Sequence, residues 1–246
     1  MNTDHNVDPR SIIKKNDGFF AYYFSAQVAN LIVRAFAKLP ITPNMYTWAS
    51  LILGFVAAWY FSLGEASSLV VGVILLNISF IFDCCDGQCS RLKGLQSKMG
   101  HWFDYHSDKL KDGALLAGLA YGVFVTQGET YWWIFLVAFT AIFFQFLRNI
   151  TALTRDNFKL EHEGKKDEAH TLVKERGDSQ LMVTLKNSSL FKLSDRVLLM
   201  TVFVTFGYVV EYIVLYAALE VFYAFSSAYI NYKLFNKFDK RSFQDN

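Results

Sequence analysis

Three long stretches of this 246-residue chain contain no lysine or arginine, and they constrain its fold more than any other feature. They cover residues 39–90, 112–147 and 197–232. Each is long enough for most of two apolar helices and a short turn, since about 17–20 residues cross the hydrocarbon core of a membrane. Hydrophobic residues make up 53% of the chain, more than a soluble domain usually carries. A soluble helical bundle would also need charged helix faces, which these stretches lack.

We therefore predict an all-α integral membrane protein with six transmembrane helices in three hairpins. The predicted spans are residues 45–64, 67–85, 100–126, 130–150, 195–213 and 214–235. The hairpin tips are predicted near residues 64–66, 127–130 and 207–211, and they carry Glu65, Glu129 and Glu211 and no basic residue. By the positive-inside rule, both termini and the polar connections are expected in the cytoplasm, at the inner membrane if the organism is prokaryotic.

The chain is predicted to enter the membrane domain through a helix that lies on the membrane. Residues 1–17 form a polar tail without the apolar core of a cleavable signal peptide. Residues 18–39 are predicted to be an amphipathic helix at the cytoplasmic interface, ended by Pro40 and Pro43. The alternative is a seventh span, which would invert the topology.

The six-helix domain is predicted to cover residues 40–236 and to be followed by a tail at 237–246. It includes a polar cytoplasmic segment at 155–194, in which 159–176 is predicted to form a surface helix. His162 and His170 in that segment are expected to be solvated. The cysteines lack the spacing of a zinc site and are expected to be reduced packing residues: Cys84, Cys85 and Cys89.

Acidic residues interrupt the apolar sequence between the second and third predicted spans. Asp83 and Asp86 end one span, and Asp104 and Asp108 begin the next. Spacings of three and four residues place each pair on one helix face. Carboxylates beside lipid need a compensating charge, and an all-oxygen ligand set suits Mg²⁺ or Mn²⁺. One or two such ions are the predicted cofactor, with phosphate as their natural further ligand.

Residues around the carboxylates suit a phosphate ligand. Gly87 and Gly100 would let a ligand approach the backbone, although Gly100 alone would equally suit close helix packing. Arg91 is placed to meet a phosphate or to pair with a carboxylate, but a single arginine here would equally mark the membrane boundary.

The acidic segment resembles the signature of the CDP-alcohol phosphotransferase (CDP-alcohol phosphatidyltransferase) family, D-x2-D-G-x2-A-R-x8-G-x3-D-x3-D. This chain reads Asp83-x2-Asp86-Gly87-x2-Ser90-Arg91-x8-Gly100-x3-Asp104-x3-Asp108, so only Ser90 departs from the pattern. Upstream, Thr42-Pro43-Asn44-Met45-Tyr46-Thr47 resembles the T-P-N-x-x-T segment that opens the first span of the family. The residues alone leave open whether Asn44 and Thr47 contact a nucleotide or whether Thr42 or Asn44 caps the helix, and the resemblance favours the nucleotide.

The resemblance implies transfer of a substituted phosphate group from a CDP-linked donor, of CDP-diacylglycerol or CDP-polyol type, to the hydroxyl of an alcohol acceptor, with release of CMP. The implied pathway is phospholipid or polyol-phosphodiester biosynthesis. The resemblance also implies that the protein is a homodimer and that membrane lipid surrounds it. The implied metal ligands are Asp83, Asp86, Asp104 and Asp108, of which Asp108 is also the general base. The implied CDP contacts are Asn44, Thr47, Gly87, Ser90, Arg91 and Gly100.

The acceptor is less constrained than the donor. Asp17-Gly18-Phe19-Phe20 and Lys109-Leu110-Lys111-Asp112 resemble a branch of the family that uses inositol phosphate or related polyol phosphates. An anionic acceptor needs basic residues, and the candidates are Lys109, Lys111, Arg148 and Arg155. Each of them would equally suit a boundary residue that extends its charge to water.

Two other functions would also use acidic residues in a membrane. An aromatic prenyltransferase normally carries two aspartate clusters and more helices, whereas this sequence shows one cluster. A divalent-cation transporter would place its carboxylates along a path at mid-membrane, whereas these lie at one end of the spans. A nucleic-acid partner is not expected, because the net charge is only +2.

Overall fold

The computed structural model describes residues 21–161 and 193–242, and within them it contains helices and connecting turns but no β-strand. A π-helical turn at Ala21–Ser25 leads into α1, and a 3-10 turn at Glu129–Tyr131 precedes α5. The α-helices are α1 (Ala26–Ala35), α2 (Pro43–Leu63), α3 (Ala66–Lys93), α4 (Lys98–Gln127), α5 (Trp133–Glu161), α6 (Leu193–Thr205) and α7 (Val209–Ser242). The predicted all-α class is confirmed for this part of the chain.

Some sequence predictions fall on residues that the structure does not describe. These are the N-terminal tail, the segment Asp17-Gly18-Phe19-Phe20, the histidines His162 and His170, and most of the polar segment 155–194. Residues 243–246 of the predicted C-terminal tail are also outside the described ranges, while α7 continues through residues 237–242.

Four of the described helices are long and apolar enough to cross a membrane. They are Pro43–Leu63, Ala66–Lys93, Glu129–Arg155 and Val209–Asn236, and they correspond to the first, second, fourth and sixth predicted spans. The third predicted span lies within α4, whose N-terminal half carries charged residues. The coarser prediction, a helical protein with apolar helices of membrane-spanning length, is therefore met.

The fifth predicted span, 195–213, is divided between two helices. α6 ends at Thr205, and Gly207 has a φ of 81°, a conformation that glycine adopts without strain. The amide of Tyr208 donates to the carbonyl of Phe203 at 2.8 Å, and that of Gly207 to the carbonyl of Val204 at 3.1 Å. These two bonds form a Schellman motif. The helix therefore stops well before residue 213, and α7 begins at Val209 rather than at 214.

The helices form two compact units. The first contains described residues 21–136 and 193–213, and the second contains 137–161 and 214–242. In the first unit α2 packs against both α3 and α4. In the second, the side-chain amide of Asn231 on α7 donates to the carbonyl of Thr151 on α5 at 2.7 Å.

Glycines bring α4 close to α2 in the first unit. A Cβ on Gly118 would overlap the carbonyl oxygen of Ala58, and a Cβ on Gly122 would overlap that of Phe61. The two glycines are four residues apart and share one helix face, the small-x3-small arrangement by which membrane helices approach each other. Close packing at this level also sets the distance between α2 and the acidic end of α4.

The short helix α1 packs against α3 through small side chains. Ala29 and Val33 of α1 form a buried cluster with Tyr46, Cys85 and Cys89. Cys85 and Cys89 are buried free thiols, as predicted for packing residues, and Cys84 is partly buried. The amide of the buried Gln88 side chain donates to the carbonyl of Ala26 at 2.8 Å and joins the same two helices.

The glycine contact between α2 and α4 is open to a paired test. Gly118→Ala is expected to destabilise the protein by about 1–3 kcal/mol, because its Cβ meets a backbone carbonyl that cannot rotate away. Gly113→Ala is the matched control: Gly113 lies on the same helix, and a Cβ there would have no atom within 4 Å. Thermal unfolding in detergent micelles measures both variants, and equal melting temperatures would contradict the close approach.

Candidate functional site

The carboxylates predicted from the sequence converge in the first unit. One oxygen from each of Asp83, Asp104 and Asp108 lies within 4.8 Å of the others, and all three side chains are partly buried. Asp83 comes from the C-terminal half of α3, and the other two come from the second and third turns of α4. The spacing of four residues on α4 therefore does place both carboxylates on the face that meets Asp83.

Asp86 adjoins this group on the next turn of α3 and is more buried, with 7% of its surface exposed. The hydroxyl of Thr47 on α2 donates to Asp86 Oδ2 at 2.8 Å, and Thr47 is itself buried. Sequence reasoning expected Thr47 to contact a nucleotide. The structure gives its hydroxyl a carboxylate partner, so Thr47 fixes the orientation of Asp86.

A buried lysine completes the cluster. The ammonium of Lys111 lies 2.7 Å from Asp83 Oδ1, 2.7 Å from the hydroxyl oxygen of Ser50 and 2.9 Å from Asp108 Oδ1. Only 8% of its side chain is exposed. Lys111 was a predicted acceptor contact, and the structure places its charge among the carboxylates.

Two residues of α2 that sequence reasoning missed accommodate Lys111. Ser50 accepts from its ammonium, and Gly54 leaves room for its stem, because a Cβ there would lie 2.8 Å from Lys111 Cγ. With Thr47 they form a stripe of small residues at spacings of three and four on an otherwise apolar helix. That stripe was the signal in the sequence that could have identified them.

The donor set fits a divalent cation. All its ligand atoms are carboxylate oxygens, which suit Mg²⁺ or Mn²⁺. The buried Asp108 Oδ1 forms an ion pair with the ammonium of Lys111 at 2.9 Å. The ammonium of Lys111 pairs with two of the four carboxylates, so negative charge remains for a cation to neutralise.

Two predicted CDP contacts adjoin each other at the first turns of α2 and α4. Asn44 is exposed, and its side-chain oxygen lies 3.5 Å from the position that a Cβ of Gly100 would occupy. The amide of Gly100 donates to the hydroxyl of Ser97, which caps α4. Thr42, the residue before α2, makes no such capping bond.

The remaining predicted CDP contacts lie on α3 between the two halves of the motif. The Arg91 guanidinium lies over Gly87, where a Cβ would be 3.3 Å from Nη1. The hydroxyl of Ser90 donates to the carbonyl of Gly87 at 2.9 Å within the same helix. Its polar group is therefore satisfied locally, which explains how serine can occupy a position that usually holds alanine in the signature.

The other acceptor candidates are spread over both units. Lys109 lies on α4 with its ammonium 5.5 Å from the centre of the Tyr105 ring. Arg148 and Arg155 lie on α5 in the second unit, where Arg148 forms a buried ion pair with Glu220 at 3.2 Å. Sequence reasoning missed Glu220, because a lone glutamate in an apolar stretch does not indicate its partner.

A further buried ion pair that was not predicted lies next to the acidic cluster. The guanidinium of Arg196 on α6 donates to Asp112 Oδ2 at 2.7 Å, and both side chains are largely buried. Asp112 lies one turn beyond Asp108 on α4. The pair therefore fixes α6 beside the site-bearing helix.

Part of the chain is similar in sequence to curated proteins whose names state an activity. The chain is 33% identical to the archaetidylinositol phosphate synthase of Pyrococcus horikoshii over 100 residues, which cover 41% of this chain and 52% of that protein. It is 31% identical to the bifunctional IPC transferase and DIPP synthase of Thermococcus kodakarensis over 117 residues, 48% of this chain and 25% of that protein. The chain thus spans about half the length, or less, of these curated relatives.

The fold resembles that of the phosphatidylinositol phosphate synthase of Mycobacterium tuberculosis. A crystal structure of that enzyme with CDP-DAG bound matches with a TM-score of 0.58 and 15% identity, over 84% of this chain and 92% of that one. A second, with manganese and citrate, also gives 0.58, over 83% and 87%. Residues 40–173, more than half of the chain, match the sequence model of the CDP-alcohol phosphatidyltransferase family. The chain belongs to the CDP-alcohol phosphatidyltransferase family.

Proposed function

We propose that this protein is a metal-dependent CDP-alcohol phosphotransferase of the membrane, which transfers a substituted phosphate group from a CDP-linked donor to an alcohol and releases CMP. The observation that carries the proposal is the convergence of Asp83, Asp104 and Asp108 within 4.8 Å, on the helices that hold the family motif. An acidic cluster of this kind in an apolar protein suits a ligand that brings both phosphate and metal.

The nucleotide end of the donor is assigned to the first turns of α2 and α4 and to the glycine face of α3. Asn44 is exposed beside Gly100, so its amide is available to a base or ribose. Gly87 and Gly100 keep the backbone open to the diphosphate, and Arg91 beside Gly87 offers it a guanidinium. Thr47 and Ser90 act indirectly, because their hydroxyls bond to Asp86 and to the helix backbone.

The chemistry is assigned to the carboxylates. Asp83, Asp104 and Asp108, with Asp86 beside them, would hold Mg²⁺ or Mn²⁺, which when bound neutralises charge on the diphosphate and on the departing CMP. Asp108 accepts the proton of the acceptor hydroxyl, whose oxygen forms a bond to the donor phosphorus as the bond to CMP breaks.

The acceptor is proposed to be a polyol phosphate such as inositol phosphate. The named activities of the curated relatives and of the Mycobacterium tuberculosis enzyme support this choice. The phosphate of such an acceptor needs a cation near Asp108, and Lys109 is the next residue on α4. Arg148 and Arg155 remain proposals for the same role.

The membrane arrangement is proposed from the same pattern. α4, with 30 residues, is long enough to supply one further span, whereas the 13 described residues of α6 cover only part of the hydrocarbon core; α1 lies at the interface beside α3. The domain covers residues 40–236, works as a homodimer, and has its acidic cluster and both termini on the cytoplasmic side.

The role of Asp108 is tested by Asp108→Asn. CMP release from a CDP-linked donor is expected to fall by at least about 10²-fold, because the general base is lost while shape and volume are kept. Glu129→Gln is the matched control, since Glu129 is an exposed carboxylate in the turn beyond the far end of α4. CMP release by Asp108→Asn at the wild-type rate would reject the mechanism.

The metal requirement is tested by chelation. Removing divalent cations is expected to abolish CMP release and to lower the melting temperature, because the cation binds the folded protein alone. Adding Mn²⁺ should restore both in the wild type, whereas Asp83→Asn should lose the thermal shift. Mn²⁺ uptake into proteoliposomes without any nucleotide would instead favour a transporter.

The substrate class is tested by a matrix of donors and acceptors with CMP release as the readout. CDP-diacylglycerol, CDP-inositol and CDP-choline are combined with inositol phosphate, inositol and ethanolamine. We expect the highest rate for CDP-diacylglycerol with inositol phosphate. Release that needs an acceptor without phosphate would reject the polyol phosphate and keep the reaction class.

A further inference from the structure

The surroundings of Lys111 do not fit a residue that waits for substrate. Its ammonium has three oxygens within 2.9 Å, from Asp83, Asp108 and Ser50. An ammonium offers three protons, so this shell leaves none for an acceptor phosphate. With 8% of its side chain exposed, Lys111 also has little surface for any ligand to reach.

Residues of α2 determine where the ammonium lies. The stem of Lys111 crosses α2 at Gly54, where a Cβ would lie 2.8 Å from Cγ and 3.0 Å from Cδ. The hydroxyl of Ser50, one turn earlier on α2, accepts a hydrogen bond from the Lys111 ammonium. Ser50 is itself held by Ser79 of α3, whose hydroxyl donates to the Ser50 carbonyl at 2.8 Å. These contacts therefore hold the positive charge of Lys111 at one defined position between α3 and α4.

That point lies between a proposed metal ligand and the proposed base. The ammonium bridges Asp83 Oδ1 and Asp108 Oδ1, one oxygen from each of two helices. The negative charges of Asp83 and Asp108, whose oxygens lie within 4.8 Å of each other, repel, and an ammonium fixed between them offsets this repulsion. The same cation also repels any divalent ion that uses these carboxylates and competes with it for their lone pairs.

We propose that Lys111 is a positioning residue of the acidic cluster: it aligns Asp83 and Asp108 before metal and donor bind, and it weakens the affinity of the cluster for the divalent cation. The metal part depends on the carboxylate geometry alone, and the kinetic part rests on the proposed function. Lys111 thus acts through Asp108 and makes no contact with the acceptor.

Lys111→Met tests the proposal in the full-length protein in detergent, because methionine keeps an unbranched stem and removes the charge. Mn²⁺ affinity, followed by the electron paramagnetic resonance signal of free Mn²⁺, is expected to increase about tenfold or more when the nearby positive charge is lost. At saturating Mn²⁺, kcat is expected to fall by about tenfold or more with little change in KM for the acceptor, because Asp108 is no longer held in place.

Tighter metal binding combined with slower turnover is the diagnostic result, since a residue that only stabilised the fold would not tighten metal binding. Lys93→Met is the matched control: the ammonium of Lys93 bonds to the carbonyls of Leu39 and Ile41. Its Mn²⁺ affinity should stay within about twofold of the wild type, because it bonds to no carboxylate in this cluster.

Gly54→Ala provides a second route that keeps every charge. Its Cβ displaces the Lys111 stem, so Mn²⁺ affinity should rise and kcat should fall in the same directions as in Lys111→Met, by smaller factors. This variant decides the question if Lys111→Met does not fold.

Three results would overturn the proposal. Unchanged or weaker Mn²⁺ binding in Lys111→Met would make the lysine a structural residue, and so would wild-type behaviour of Gly54→Ala. A raised KM for the acceptor with unchanged Mn²⁺ affinity and kcat would make it the acceptor contact that the sequence predicted. Mn²⁺ binding is measured without substrate, so a wild-type protein that releases no CMP would count against the proposed function and leave the metal test intact.

Discussion

The structure depends on concentrating negative charge where the surrounding sequence is almost uncharged. Three carboxylates lie within 4.8 Å of one another, and a fourth adjoins them on the same helix as Asp83. In a medium of low polarity such a group is stable only if each oxygen has a donor or a cation. The Thr47 hydroxyl of α2 donates to Asp86, and Lys111 of α4 bridges Asp83 and Asp108 while donating to Ser50 of α2. Helix α2 carries none of the carboxylates, but its residues help to determine how they are arranged.

Helix packing and site chemistry are therefore joined in α2. Its backbone at Ala58 and Phe61 contacts the glycines of α4, and its residues Thr47, Ser50 and Gly54 contact the acidic cluster. The close approach made possible by Gly118 and Gly122 keeps α4 near enough for Lys111 to reach across α2. The hydrogen bond from Asn77 to Thr201 similarly joins α3 to α6 at 2.9 Å. The acidic residues thus lie on helices whose spacing is fixed by small residues.

The sequence predicted the parts of the fold that local patterns determine. Apolar stretches and their charged ends identified the helices, and spacings of three and four placed the carboxylates on common faces. The predicted hairpin tip at 207–211 includes Gly207, where the turn lies, but the fifth span was drawn on to residue 213 because hydropathy does not change across this apolar run. The direction of Lys111 was also missed, because it depends on which neighbouring helix leaves space for the stem. The Arg148–Glu220 pair was not predicted for the same reason, since tertiary structure alone brings the two residues together.

The fit between Gly54 and the Lys111 stem links two positions that are far apart along the chain. A lysine at the second position is compatible only with a residue that has almost no side chain at the first. Among relatives that keep the long cationic side chain, evolution should therefore tolerate little variation at the glycine. Where a shorter neutral residue replaces the lysine, the glycine becomes free to enlarge, and such covariation would show in sequences alone which members carry an internal ammonium.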